Sequence, residues 1–122
     1  MIKAVISRNK DGHITGFSVK GHAGYAEEGH DIICSAVSAI TYTALGYIDE
    51  VLMKEKNCNV QFEESEGNIN WDRYYGESAI GDIRKTEVDA VLEAMVIGLW
   101  QIKESYGEKY LTIQYEEVHS KC

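Results

Sequence analysis

The chain has 122 residues, 44% hydrophobic and 26% charged, with a formal net charge of −8, which is room for a single domain, 1–122, with a core of its own. The acid excess speaks against nucleic acid as a direct ligand, since phosphate binding needs a basic surface, and it suits a cationic partner. Cys34, Cys58 and Cys122 form no CxxC pair, no apolar run reaches membrane length, and Met1 to Ile6 turns polar too soon for a signal peptide; a disulfide framework, a structural zinc site, a membrane span and export are therefore not expected, and the cytoplasm is.

Ile2 to Arg8 alternates loosely and reads as a strand. Asn9-Lys10-Asp11-Gly12 is a turn signal, with Gly12 able to take positive φ. Ile14 to Lys20 reads as a second strand, with Phe17 and Val19 facing away from Gly16 and Ser18. His22 then sits just past a hairpin. From about Ser35 to Lys54, Val37, Ile40, Ala44, Leu45, Ile48, Val51 and Leu52 give helical spacing, with Asp31 or Ser35 as candidate caps.

Cys58, Val60 and Phe62 alternate, as do Ile69 and Trp71, and Glu63 to Gly67 joins them as a hairpin. Tyr74 to Lys85 is a connector broken by Gly76 and Gly81. Thr86 with Asp89 resembles the reach-back pair of a helix start. Val88, Val91, Leu92, Met95, Val96, Leu99 and Trp100 form a second amphipathic helix ending near Tyr106-Gly107. Leu111, Ile113 and Tyr115 mark a last strand within Lys109 to Tyr115, and Glu116 to Cys122 is a polar tail. The order ββαββαβ predicts an α+β fold: one largely antiparallel sheet with two long helices packed against it.

The stretch from Gly21 to Ser35 concentrates the chemistry. It holds His22, His30 and Cys34 in a glycine-containing loop that ends at the start of the first helix. A thiol there lies near the positive end of the helix dipole, where a thiolate is stabilised. Cys34 is the candidate nucleophile. Its bland alternative is a buried core cysteine, which is the reading taken for Cys58. His22 and His30 compete as base. Twelve positions separate His22 from Cys34, enough for the chain to turn back, and a histidine at a strand end is held more firmly than one in a loop. His30 faces the thiol only if Asp31 to Ile33 are already helical. Asp31 either orients the imidazole or caps the helix, and its charge raises a nearby thiol pKa. Gly21, Gly24 and Gly29 let the loop bend or open. A metal bound by His22, His30, Asp31 and Cys34 is the rival chemistry, and its spacing matches no known ligand motif.

Gly21-His22-Ala23, then Gly29-His30-Asp31-Ile32-Ile33-Cys34, then Ser35-Ala36-Val37-Ser38-Ala39 resembles the signature of the ribosomal-processing cysteine protease family, Prp. Its pattern is GHA, a short variable glycine-containing loop, then G-x-D-I-[IV]-C-[AS]-x-x-S. The resemblance extends over the whole chain in length and element order. It implies a bacterial thiol protease that removes the N-terminal extension of a large-subunit ribosomal protein of the bL27 type, in support of ribosome assembly. It implies Cys34 as nucleophile, His22 as general base, Asp31 and Ser38 in the same block with supporting roles, and a homodimer. There is no departure at nucleophile or base, and the loop Gly24 to Glu28 is this chain's own.

The expected mechanism uses a Cys–His dyad, with the N–H groups of Cys34 and Ser35 holding the oxyanion and the loop closing on its glycines. It requires no metal or organic cofactor. Two other readings stay open: a redox-reactive thiol, which lacks an obvious resolving partner unless Cys58 is near Cys34, and a non-enzymatic peptide-binding module of ribosome assembly.

Overall fold

The structure is a computed structural model that describes residues 1–27, 31–53, 58–65, 68–75 and 82–117, with backbone alone for 51–53, 58–65, 70–75 and 82–85. The elements are β1 (Ile2–Arg8), β2 (Ile14–Lys20), α1 (Ile32–Met53), β3 (Cys58–Ser65), β4 (Asn68–Tyr75), α2 (Asp82–Tyr106) and β5 (Leu111–Glu117). This is the expected α+β fold. The sheet runs β3-β4-β2-β1-β5. Three of its pairings are antiparallel and one, β1 with β5, is parallel.

Register explains the two faces. Ala4 lies opposite Val19 and Ile6 opposite Phe17, Val19 also opposite Ile69, and Ile2 opposite Leu111. All of these are buried, together with Ile33, Val37, Ala44 and Ile48 of α1 and Val88, Leu92, Met95 and Leu99 of α2. Both helices therefore cover one face, and their apolar stripes meet it at helical spacing. The other face carries Lys3, Ser7, Lys20, Gln114 and Glu116, with Ser7 Oγ donating to Glu116 at 2.6 Å. By length and composition alone Ile32–Glu50 could cross a membrane, contrary to the expectation that no such run exists. Its Ile33, Val37, Ala44 and Ile48 stripe belongs instead to this core.

The first hairpin closes as its residues dictate. Asn9 Oδ1 accepts the N–H groups of Asp11 and His13, both at 3.0 Å, and Gly12 takes φ +86°. At the far end of α2, Gly107 adopts φ +103° and its N–H reaches the Lys103 carbonyl at 2.7 Å, a left-handed C-cap. Trp100 Nε1 donates to the Tyr115 hydroxyl at 2.7 Å, and Arg8 pairs with Glu93, so α2 is pinned to β5 and β1.

Both helices begin earlier than their apolar stripes suggest. α1 starts at Ile32, three residues before Ser35, because Asp31 caps it. Thr41, fully buried, fills a core position of the stripe by returning its hydroxyl to the Val37 carbonyl at 2.9 Å. α2 starts at Asp82, so Thr86 and Asp89 lie inside it and the connector is shorter than Tyr74 to Lys85. In α1 the buried stripe itself starts at Ile33, the second residue of the helix. β5 is displaced to Leu111–Glu117, since Gly107 to Tyr110 form a turn whose Tyr110 N–H meets the Gly107 carbonyl at 3.2 Å.

Candidate active site

The end of β2 and the start of α1 meet over one cleft. It has a volume of about 240 Å³ and is lined by Gly21, His22, Cys34, Val37, Ser38, Asn68 and Ile69 among others. His22 reaches it because Lys20, the last residue of β2, is paired with both Lys3 and Asn68. Cys34 reaches it as the third residue of α1. Ser38 lies one helical turn beyond Cys34 on the same face. The two residues expected to do the chemistry, twelve positions apart, thus line the same cavity.

Asp31 organises the junction. Its Oδ1 accepts the N–H groups of Ile33 and Cys34, each at 3.0 Å, and its Oδ2 accepts the Tyr25 N–H at 3.1 Å. This is an N-cap with a second arm that reaches back across the loop. All three donors are backbone amides, so of its two anticipated roles Asp31 performs the capping one. Burial works against its charge, but the amides of Cys34 and Tyr25, the Cys34 thiol and the Ile33 amide outweigh it and hold the carboxyl below the usual range.

The Ser35 N–H is bonded to the Asp31 carbonyl at 3.1 Å, and the Cys34 N–H to its carboxylate. The two amides expected to hold an oxyanion are therefore engaged by the cap. The amide aimed at the sulfur is that of Ala23, which donates to Cys34 Sγ at 3.3 Å. No side chain advertises this donor, so residue types alone could not reveal it.

The thiol departs from expectation as well. Burial pushes its pKa above the ordinary thiol value, and the Asp31 carboxylate, through its charge and its hydrogen bond with the thiol, pushes it further. The Ala23 N–H and the terminal amine of Met1 pull the other way without prevailing. Alkylation of Cys34 by iodoacetamide, followed peptide by peptide with mass spectrometry, should show a midpoint above the usual value of about 8.5. Asp31→Asn should lower that midpoint by removing the charge. A wild-type midpoint near neutrality would contradict this account.

Gly21 and Gly24 adopt φ +93° and +71°. Gly21 is not a free hinge: a Cβ there would lie 2.5 Å from the Met1 carbonyl oxygen. Gly29 and His30 lie outside the described residues, as do Cys122 and the side chain of Cys58. Cys58 opens β3 at the end opposite Ser65, and Ser65 pairs with Asn68 beside the cleft. Seven residues of strand place its backbone about 23 Å from Ser65, at the end of β3 away from the cleft, which speaks against it as a resolving partner. Among the described residues no group of three or more His, Cys, Asp or Glu could hold a metal ion.

The family described as cysteine protease Prp matches residues 1–111. The chain belongs to the cysteine protease Prp family. The ribosomal processing cysteine protease Prp of Staphylococcus aureus is 29% identical over 110 residues, 88% of this chain and 93% of that one. Its namesake in Bacillus subtilis is 27% identical over 108 residues, 88% and 92% of the two chains. In three dimensions the chain resembles the S. aureus Prp solved with a covalently linked product peptide, with a TM-score of 0.76 at 24% identity, covering 95% of this chain and all of that one. As a Prp family member the chain is a cysteine protease, hence a hydrolase, and the non-enzymatic reading falls away.

Proposed function

We propose that this Prp-family protease removes the N-terminal extension of a large-subunit ribosomal protein of the bL27 type, with Cys34 as nucleophile and His22 as general base. The observation that carries the reading is the shared cleft, where His22 and Cys34 come from separate elements and Ala23 N–H points at Sγ. The ribosomal substrate is supported by the relatives named for that processing. The net charge of −8 suits the basic N-terminus of a ribosomal protein. From the family resemblance and the sequence we also propose a cytoplasmic homodimer, acting on protein rather than nucleic acid, without metal or organic cofactor.

Proton transfer accompanies the attack. His22 takes the Cys34 proton as Sγ bonds to the scissile carbonyl carbon. Ala23 N–H, released from the sulfur's lone pair, is the donor adjacent to the new oxyanion. Collapse breaks the C–N bond while His22 returns the proton to the leaving amine, which leaves a thioester. Water, deprotonated by His22, then attacks the thioester, the C–S bond breaks, and Cys34 regains its proton. Ser38 and Ser35 act from α1 as supporting residues of the cleft and the helix start.

The test is a fluorogenic peptide spanning the extension junction of the host's own bL27-type protein. Cleavage at one bond by wild type is expected. Binding without cleavage would overturn the proposal.

A further inference from the structure

Resting on the protease reading, we infer that Tyr25, gripped by Tyr106 and Tyr110, is the positioning residue that holds the Ala23 amide against Cys34.

The catalytic stretch is fixed at one end by β2 and by the fit of Gly21 against Met1. Its other end needs an anchor, since Tyr25, Ala26 and Glu27 are exposed. Tyr25 supplies one. Its ring stands edge-on to Tyr106, with centroids 5.9 Å apart and planes at 77°, and to Tyr110 at 5.3 Å and 75°. These are favourable aromatic geometries. Its N–H is held by Asp31 Oδ2. Gly24, at φ +71°, turns the chain between them. Ala23 is therefore buried with its N–H on the sulfur, while the next side chain but one packs on the α2–β5 turn.

That turn is rigid. The Gly107 C-cap sets Tyr106, and the Tyr110 carbonyl accepts the Ile2 N–H at 2.8 Å, which ties the turn to the start of β1. A surface site more than seventy positions from Cys34 in sequence thus bears on the geometry of the thiol. Tyr25 lies in the loop that is this chain's own, so the clasp need not be shared with relatives.

The experiment compares Tyr25→Ala, Tyr25→Phe, Tyr106→Ala and the double alanine variant. It reads kcat and KM on the junction peptide and amide hydrogen exchange at Ala23. Tyr25 is 45% exposed and Tyr106 40%, so loss of either ring leaves the core intact. In Tyr25→Ala, kcat should fall about tenfold with KM within about twofold, and Ala23 exchange should quicken about tenfold. Tyr25→Phe should restore both. The double variant should fall little below Tyr25→Ala, because the rings act as one unit. A rise in KM alone would mean that Tyr25 touches the peptide, and would overturn the inference. Unchanged Ala23 exchange, or failure of phenylalanine to restore it, would do so too. If wild type cuts no peptide, the protease reading fails separately, and the exchange rates still judge the clasp.

Discussion

Asp31→Ala is expected to unfold about 2–4 kcal/mol more easily than wild type and to lose about a hundredfold in kcat. The carboxylate is 7% exposed and accepts three backbone amides. Losing the cap alone costs about 0.5–2 kcal/mol, and a hydrogen bond to a charged group contributes about 1.5–3 kcal/mol. The larger effect on rate follows because the same carboxylate fixes Cys34 through its own N–H and fixes the loop through Tyr25. Asp31→Asn separates the two arms. Its one carbonyl oxygen can cap α1, but its amide group presents a donor to the Tyr25 N–H.

The asparagine variant should therefore keep most of the stability at neutral pH and lose most of the activity. The pH dependence has a definite sign. A carboxyl held below its usual value of about 3.9 stabilises the fold above that pH, and the contribution disappears as pH falls through the lower folded value. Urea midpoints measured between pH 7 and pH 2 should drop less steeply for Asp31→Asn than for wild type. Equal acid limbs, or an alanine variant within about 0.5 kcal/mol of wild type, would refute this assignment.

Gly21→Ala is expected to be the most damaging single methyl in the described chain. Two costs fall on the same atom. At φ +93° a side chain meets backbone strain of about 1–2 kcal/mol. The new Cβ also sits 2.5 Å from the Met1 carbonyl oxygen, a backbone atom that cannot swing aside as a side chain would. Ile2, next in sequence, is held by Tyr110 and paired with Leu111, so the start of β1 resists displacement. The chain must yield at His22 instead.

We expect a total cost of about 2–4 kcal/mol, a fall in Tm of roughly 10 °C, and at least a hundredfold loss of cleavage. Gly24→Ala is the control. Its φ of +71° brings the strain, but a Cβ there meets nothing within 4 Å, so it should lose about 1 kcal/mol. Calorimetry on the pair decides the matter: if both glycines tolerate alanine equally, the packing against Met1 has no energetic meaning.

Local rules went furthest where one residue type admits one geometry. Asn9 with Gly12 marked the first turn, and β1 and β2 came out at the residues their alternation indicated. Gly107 marked the end of α2. The helix starts were less legible: the α1 stripe begins at Ile33, which is fully buried but sits in a stretch that reads as loop, and α2 begins at Asp82, six residues ahead of Val88. The cap Asp31 was in view, but whether it served the helix or the imidazole depended on which amides came within reach.

The parallel pairing of β5 with β1 is a tertiary choice that no local pattern encodes. In the site, His22 and Cys34 could be picked out as reactive types flanking a glycine-containing loop. The Ala23 donor is backbone, and the raised thiol pKa results from burial and Asp31 outweighing the Ala23 N–H. Tyr25 looked like an ordinary loop residue because its partners are about eighty positions away.

The most direct test of the Cys34–His22 mechanism is cleavage of the junction peptide by wild type beside Cys34→Ala and His22→Ala, with folding checked by circular dichroism. The account predicts one cut by wild type and none by either folded variant. Activity that survives in His22→Ala would contradict the dyad and move the base to another residue, His30 being the next to replace. Activity that survives in Cys34→Ala would contradict the mechanism altogether.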